Sequence, residues 1–325
     1  MILAGDIGGT KTNLALFERA DGDMRSPVAE GSFPSAQHAS LEVILEKFLT
    51  LHDVKVDRAA FGIAGPVIDG KVETPNLPWR ITEMELGAQL GTARVRLVND
   101  LVANAIGIPS LGADQLHTLN RGEYLSHGNV GLIAAGTGCG MAFLVHDGVK
   151  LIPVPTEGGH IDFAPRSALQ IGLLEHLRKR FGRVSYERVI SGPGLHNIYL
   201  YLREEHYADE PEWLAGQIAA GDPGAAISAA ALSGKSPLAM KALDLFVSIY
   251  GAMAGNLALM VLATGGLYIG GGIAPKILTK LEDGVFLEAF RQKGRFTPFA
   301  EKIPIHVILD PKTALYGAAH VAAGL

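Results

Sequence analysis

Ile2-Leu3-Ala4-Gly5-Asp6-Ile7-Gly8-Gly9-Thr10-Lys11-Thr12-Asn13-Leu14-Ala15-Leu16-Phe17 sets two apolar runs on either side of a glycine turn that carries one carboxylate and two hydroxyls. Apolar runs of strand length bounded by glycines predict buried strands. Gly8 with Gly9 lets the backbone turn sharply and bring N–H donors close to an anion. The stretch therefore predicts a phosphate-holding hairpin, with Asp6 at the end of its first strand placed to hold a hydrated cation beside the anion. An ordinary hairpin whose Asp and Thr are turn formers accounts for the same residues.

A second stretch, Gly131-Leu132-Ile133-Ala134-Ala135-Gly136-Thr137-Gly138-Cys139-Gly140-Met141-Ala142-Phe143-Leu144-Val145, repeats strand, Gly/Thr turn and strand. One fold used twice, with a glycine hairpin in each α/β half, resembles the architecture shared by actin, the heat-shock chaperone ATPase and the sugar kinases. The expected fold is α/β: a two-lobe actin-like ATPase (ribonuclease H-like) fold, each lobe a mixed sheet with flanking helices. No G-x-x-x-x-G-K-[ST] occurs, and neither glycine cluster reads G-x-G-x-x-G between a strand and a helix. P-loop and Rossmann readings are thereby set aside.

At 325 residues the chain is long enough for two domains, and its net charge of −5 is small. No basic stripe or polybasic tail points to nucleic acid or an anionic membrane. The single cysteine, Cys139, cannot form an intramolecular disulfide or a multi-thiolate zinc site, and the chain opens directly in an expected strand with no leader. Both features lead us to expect a cytoplasmic protein. No charge appears between Asp244 and Lys276, a length that can span a bilayer. Thr264-Gly265-Gly266 and Gly270-Gly271-Gly272 interrupt it, so the expectation is a long buried helix over about 238–262, Gly251 and Gly255 allowing close packing, then a short buried strand.

Between these landmarks the chain alternates. Asp21-Gly22-Asp23 is expected to turn, Ser40 to cap a helix over 41–51, and Thr82-Glu83-Met84-Glu85 to open another with capping-box spacing. Val95-Arg96-Leu97-Val98 reads as a strand and the residues from Leu101 to Ile106 as a helix, with Asn99-Asp100 at the junction. Ligands of open α/β sheets sit at the carboxyl ends of strands, so Asp100 is expected to point into a cleft; a simple helix cap is the alternative. In Pro155-Thr156-Glu157-Gly158-Gly159-His160, a carboxylate and an imidazole three apart can face a polyol, although a His beside glycines is also an ordinary turn residue, and no further His or Cys suggests a metal site. Glu187, in the first turn after Ser185, reads from the residues alone as a structural acid favoured by the helix dipole. Pro304 marks 303–309 as an edge strand.

With these motifs in hand, the whole chain resembles the bacterial glucokinase family, ATP-dependent hexokinases of the actin-like fold. The resemblance rests on Gly5-Asp6-Ile7-Gly8-Gly9-Thr10, Val98-Asn99-Asp100, Gly136-Thr137-Gly138, Glu157-Gly158-Gly159-His160-Ile161-Asp162-Phe163-Ala164-Pro165, Glu187-Arg188-Val189-Ile190-Ser191-Gly192-Pro193-Gly194-Leu195 and Gly270-Gly271-Gly272, in family order and spacing. It implies phosphorylation of glucose at the 6-hydroxyl by ATP with Mg²⁺. Asp100 would be the base, and Asn99, Asp100, Glu157, His160 and Glu187 would hold the sugar. Asp6, Ile7, Gly8, Gly9, Thr10 and Lys11 would form one phosphate loop, Gly136, Thr137 and Gly138 the other, and Gly270, Gly271 and Gly272 the adenosine side. No residue is a direct metal ligand in this reading; Mg²⁺ would come with ATP and reach Asp6 through water.

The resemblance further implies a homodimer, a small domain over 1–110 completed by 303–325, and a large domain over 111–302. The related repressor and kinase family adds a cysteine-rich zinc motif after Glu-Gly-x-His, and Ile161-Asp162-Phe163-Ala164-Pro165-Arg166-Ser167 has no cysteine. A kinase for mannose or an amino sugar, and a non-catalytic sugar sensor, remain as alternatives. Cys139 stands where leucine is common in the family. It is either an oxidation-sensitive thiolate among loop amides or a small buried apolar residue.

Overall fold

Successive residues of a strand face opposite sides of a sheet, so an unbroken apolar strand needs cover on both faces. The strand Ile2–Ile7 meets that demand: Leu3 and Ile7 join a core with Leu41, Ile44, Leu45 and Phe48 of the helix Leu41–His52, whereas Ile2 and Ala4 join another with Leu315, Ala318 and Ala322 of the helix Thr313–Ala323. The computed structural model describes residues 1–18, 24–74 and 77–325; the turn expected at Asp21-Gly22-Asp23 lies outside the described residues.

The chain divides into two compact units. The first comprises Met1–Gln115, Pro153–Pro155 and Asp310–Leu325, and the second Leu116–Ile152 and Thr156–Leu309. Among the described residues the first unit carries a five-stranded sheet in the spatial order Ala29–Pro34, Lys11–Phe17, Ile2–Ile7, Arg58–Ile63, Val95–Asn99. Its first three strands run antiparallel and its last three parallel. The six-stranded sheet runs Leu151–Pro155, Cys139–His146, Val130–Ala135, Leu267–Gly270, Ile305–Ile308, Leu116–Asn120. Val130–Ala135 is antiparallel to Cys139–His146 and parallel to Leu267–Gly270, which is parallel to Ile305–Ile308. Each unit is thus a glycine hairpin extended on one side by two parallel strands. This is the duplicated mixed α/β architecture that the two motifs anticipate.

One expectation needs correction. Ile305–Ile308 does not complete the first unit and is not an edge strand: it pairs with Leu267–Gly270 on one side and Leu116–Asn120 on the other. It is the second sheet's counterpart of Val95–Asn99, and Pro304 stands just before it, where its missing N–H costs the ladder nothing. Leu116–Asn120 itself lies just past residue 110, in a stretch for which the sequence predicts no strand. Only the final helix returns to the first unit, where Arg58 Nη1 donates to Ala323 O at 2.7 Å and Ser110 Oγ meets His320 Nε2 at 2.6 Å.

Local signals hold elsewhere. Thr82 Oγ1 accepts the Glu85 N–H at 3.1 Å and donates to Glu85 Oε2 at 2.7 Å, a capping box at the helix Glu83–Leu90. Pro237–Val261 is long and apolar enough to cross a membrane, but it is buried along most of its length within the second unit. A β-carbon on its Gly251 or Gly255 would lie 2.2 Å from Phe286 O or 2.4 Å from Phe290 O, so the helix Val285–Arg291 packs backbone to backbone against it.

The helix Asp100–Gly107 is seated in the same way. A β-carbon on Gly317 would fall 1.7 Å from Ala103 O, and one on Gly107 would fall 2.0 Å from Thr313 O. Gly317→Ala should therefore force this crossing apart and cost about 1–3 kcal/mol or more. Urea unfolding should show the lowered stability; an unchanged midpoint would mean that the two helices can separate freely.

Candidate active site

In the first unit the parallel strands end level: Ile7 pairs with Ile63 and Ile63 with Asn99. That register brings Asp6 and Asp100 to the carboxyl ends of the strands, where open α/β sheets present ligands. Between Asp6 and Lys11 the chain turns tightly, Gly8 N–H donating to Lys11 O at 2.9 Å. Ser35, fully buried, braces this turn from outside the motif. Its hydroxyl donates to Gly8 O at 2.7 Å and meets Thr12 Oγ1 at 3.0 Å, while its N–H donates to Thr10 O at 3.0 Å. Gly8 and Gly9 are half-buried, and Thr10 and Lys11 are exposed.

Asn99, not Asp100, caps the helix Asp100–Gly107. Its Oδ1 accepts the Leu101 and Val102 N–H groups at 2.9 and 3.3 Å, and its Nδ2 donates to Gly65 O at 3.2 Å. Asp100 is the first helical residue, with Oδ1 accepting the Leu101 N–H at 2.9 Å. The simple-cap alternative for Asp100 thus loses its ground, since the neighbouring amide does that work. A carboxylate here is favoured by the helix N-terminus.

In the second unit the candidate residues gather round the turn 136–138. Gly192 N–H, at the start of the helix Gly192–Glu204, donates to Gly136 O at 2.9 Å. Glu187, in the short turn Tyr186–Arg188, accepts the Cys139 N–H on Oε2 at 3.1 Å. Gly158–His160 forms one turn of 3₁₀ helix in which His160 N–H donates to Glu157 O at 3.0 Å, and both Glu157 and His160 are exposed. Gly271, at φ 82°, lies where a β-carbon would meet Ala135 O at 2.3 Å, seating the Gly270-Gly271-Gly272 turn beside the same hairpin. Glu187 is therefore more than a helix-turn acid, because its carboxylate serves backbone far away in sequence.

The family profile described as Glucokinase matches residues 3–325. The chain belongs to the glucokinase family. A glucokinase of Nostoc punctiforme is 42% identical to it over 339 residues, covering 100% of this chain and 99% of that one. The crystal structure of a glucokinase from an Antarctic psychrotroph superposes with a TM-score of 0.86 at 32% identity, over 100% of this chain and 99% of the other. A glucokinase of Streptomyces griseus, of the ROK family and in complex with glucose and AMPPNP, shares the fold with a TM-score of 0.66 at 23% identity, over 100% and 99% of the two chains.

Electrostatics distinguish the two hairpins of this glucokinase-family chain. Burial first, and then the charge of Asp100, push the half-buried Asp6 carboxyl from 3.8 up to about 6, against a hydrogen bond from Asn13 Nδ2 at 3.4 Å. Among the described residues no group of three or more metal-ligating side chains converges. Mg²⁺ needs none, since it is held through one or two carboxylates, water and substrate phosphates. Two carboxylates close enough to raise a pKa suit that donor set. At Cys139 the sign is opposite to the expectation of a reactive thiolate: burial, and then Glu187, push its thiol up to about 12. It is a buried, protonated side chain, with the apolar role the sequence left open.

Sequence reasoning missed Ser35, which had no local signal because it follows an ordinary Pro34; Gly192 lies within the 187–195 motif but had no role of its own there.

Because the folded pKa of Asp6 lies above its unfolded value, the unfolded state loses this proton first as pH rises. The group thus lowers stability progressively between about pH 4 and pH 6, by about 2–3 kcal/mol in full above that window. Asp6→Asn should gain stability over the parent by that order at pH 7 and little at pH 4, read by urea unfolding at both values. Iodoacetamide should label native Cys139 far more slowly than the urea-unfolded chain, as followed by mass; equal rates would overturn the buried-thiol assignment.

Proposed function

We propose that the chain transfers the γ-phosphoryl group of ATP to the 6-hydroxyl of glucose, giving glucose 6-phosphate and ADP. What carries the reading is Asp100, at a helix N-terminus and within electrostatic reach of Asp6 beside the Gly8-Gly9-Thr10 turn, in a glucokinase-family chain. Asp100 accepts the proton of the 6-hydroxyl. In a loose phosphoryl-transfer transition state that proton leaves late, so a carboxylate of ordinary basicity serves, and its orienting of the hydroxyl matters as much. The bond from Leu101 N–H holds one oxygen of the carboxyl, Oδ1, at 2.9 Å.

Glu157, His160 and Glu187 hold ring hydroxyls, those on the carboxylates by charge-assisted hydrogen bonds. Asn99, with its oxygen committed to the cap, offers a sugar only an amide hydrogen. Amides of the turns 8–10 and 136–138 receive the phosphates, and the 270–272 turn takes the adenosine side. Asp6 holds Mg²⁺ through water; the ion, when bound, offsets spread negative charge on the phosphates.

A cytoplasmic homodimer completes the proposal. Its support is the buried free thiol for the compartment and, for the dimer, the exposed apolar side chains of Ile161, Met260 and Leu262 on the second unit.

ADP release with Mg-ATP should depend on sugar and be strongest with glucose across glucose, mannose, fructose and N-acetylglucosamine. Asp100→Asn should lower turnover by about 10²–10⁴-fold while sugar binding stays detectable. Near-parental turnover in that variant would remove Asp100 as the base, and the absence of ADP release with every one of these sugars would favour a non-catalytic sensor.

A further inference from the structure

We propose that the Cys139 peptide is a clamp that couples sugar binding to phosphate binding, with the Glu187 carboxylate as its positioning group. The inference rests on the reading above, in which Glu187, Glu157 and His160 serve the sugar and 136–138 the phosphates.

Cys139 directly follows the phosphate turn, and both sides of its backbone are held by sugar-side elements. Its N–H donates to Glu187 Oε2 at 3.1 Å. That carboxylate also presses on the turn, since a β-carbon on Gly138 would lie 2.5 Å from Oε2. On the other side, a β-carbon on Gly159 would lie 1.7 Å from Cys139 O, so the Gly158–His160 turn rests on this carbonyl. The clamp is closed behind by Ser191 Oγ donating to Glu187 O at 2.7 Å and by Gly192 N–H donating to Gly136 O at 2.9 Å. Displacing Glu187 therefore moves an amide at the mouth of the hairpin, and moving the hairpin displaces Glu187.

Charge gives the sign of the coupling. Without sugar, the Glu187 carboxylate lies against the hairpin and repels an arriving phosphate. Sugar hydroxyls donating to that carboxylate spread its charge and fix its rotamer, so a phosphate meets a less negative, better ordered hairpin. By linkage the nucleotide then tightens the sugar by the same factor.

Two variants separate the clamp from simple contact. Gly138→Ala keeps every ligand group but puts a methyl 2.5 Å from Oε2, which must shift; the atom it meets ends a flexible side chain, so the fold survives. Glu187→Gln keeps an oxygen that can accept the Cys139 N–H but removes the charge. Calorimetry of glucose binding with and without saturating Mg-AMPPNP, and of Mg-AMPPNP binding without sugar, reads the coupling directly.

In the parent, AMPPNP should tighten glucose by about fivefold or more. In both variants that factor should fall below about twofold, and Glu187→Gln should bind AMPPNP more tightly than the parent when no sugar is present. A parental factor near one, a coupling that persists unchanged in either variant, or no gain in AMPPNP affinity in Glu187→Gln overturns the clamp. A parent that binds no glucose overturns the sugar assignment itself, before any variant is made.

Discussion

Backbone carbonyls occupy the space that side chains would need at the places where the candidate groups are held. Gly317 against Ala103 O and Gly107 against Thr313 O lock the helix that starts at Asp100, and Gly159 against Cys139 O seats the turn that carries Glu157 and His160. At such approaches a helix or turn has no compressible side chain between it and its neighbour, so its position is set to a few tenths of an ångström. Groups that must meet a hydroxyl and a phosphate in line gain from that rigidity. The same packing makes the positions intolerant, because the smallest β-carbon meets a backbone atom that cannot rotate away.

Charge is arranged differently in the two units. Near the first hairpin, burial first and then the charge of Asp100 raise the pKa of Asp6, which leaves two neighbouring carboxyl groups with a demand for positive charge. At the second a single carboxylate, Glu187, is tied to the hairpin amide itself. Under the proposed function the first hairpin would take a cation beside its phosphates, whereas the second already holds a carboxylate against its amide, so similar glycine turns stand in unlike electrostatic surroundings. That the duplicated sheets nevertheless share their strand order indicates that the scaffold sets where the turns lie, and a few polar side chains set what each turn receives.

Much of this was legible locally. Both glycine hairpins, the Thr82 capping box, the long helix and the strand-to-helix junction at Asn99-Asp100 are written in short-range patterns of apolar spacing, turn residues and caps. The errors share one cause. Ile305–Ile308 looks the same as a strand whichever sheet receives it, and Leu116–Asn120 alternates too weakly to announce an edge; sheet membership is decided by pairing with strands far beyond the local pattern, Leu267–Gly270 on one side and Leu116–Asn120 on the other. At the junction the sequence offered Asp100 as either a cleft residue or a simple helix cap, and did not single out Asn99 as the cap. Only the direction of the Asn99 side chain resolves that.

The sequence by itself determined the α/β class, the doubled hairpin, the family and the residue types at the candidate site, because each depends on spacing within a dozen residues or on a run of such motifs. Tertiary structure alone decided that Ser35 braces the first turn, that Glu187 reaches the Cys139 amide, that the Cys139 thiol is buried and protonated, and that the last strand belongs to the second sheet. Those facts depend on which distant groups exclude water from one another. Burial and hydrogen-bond partnership are properties of a packed neighbourhood, and no local pattern specifies one.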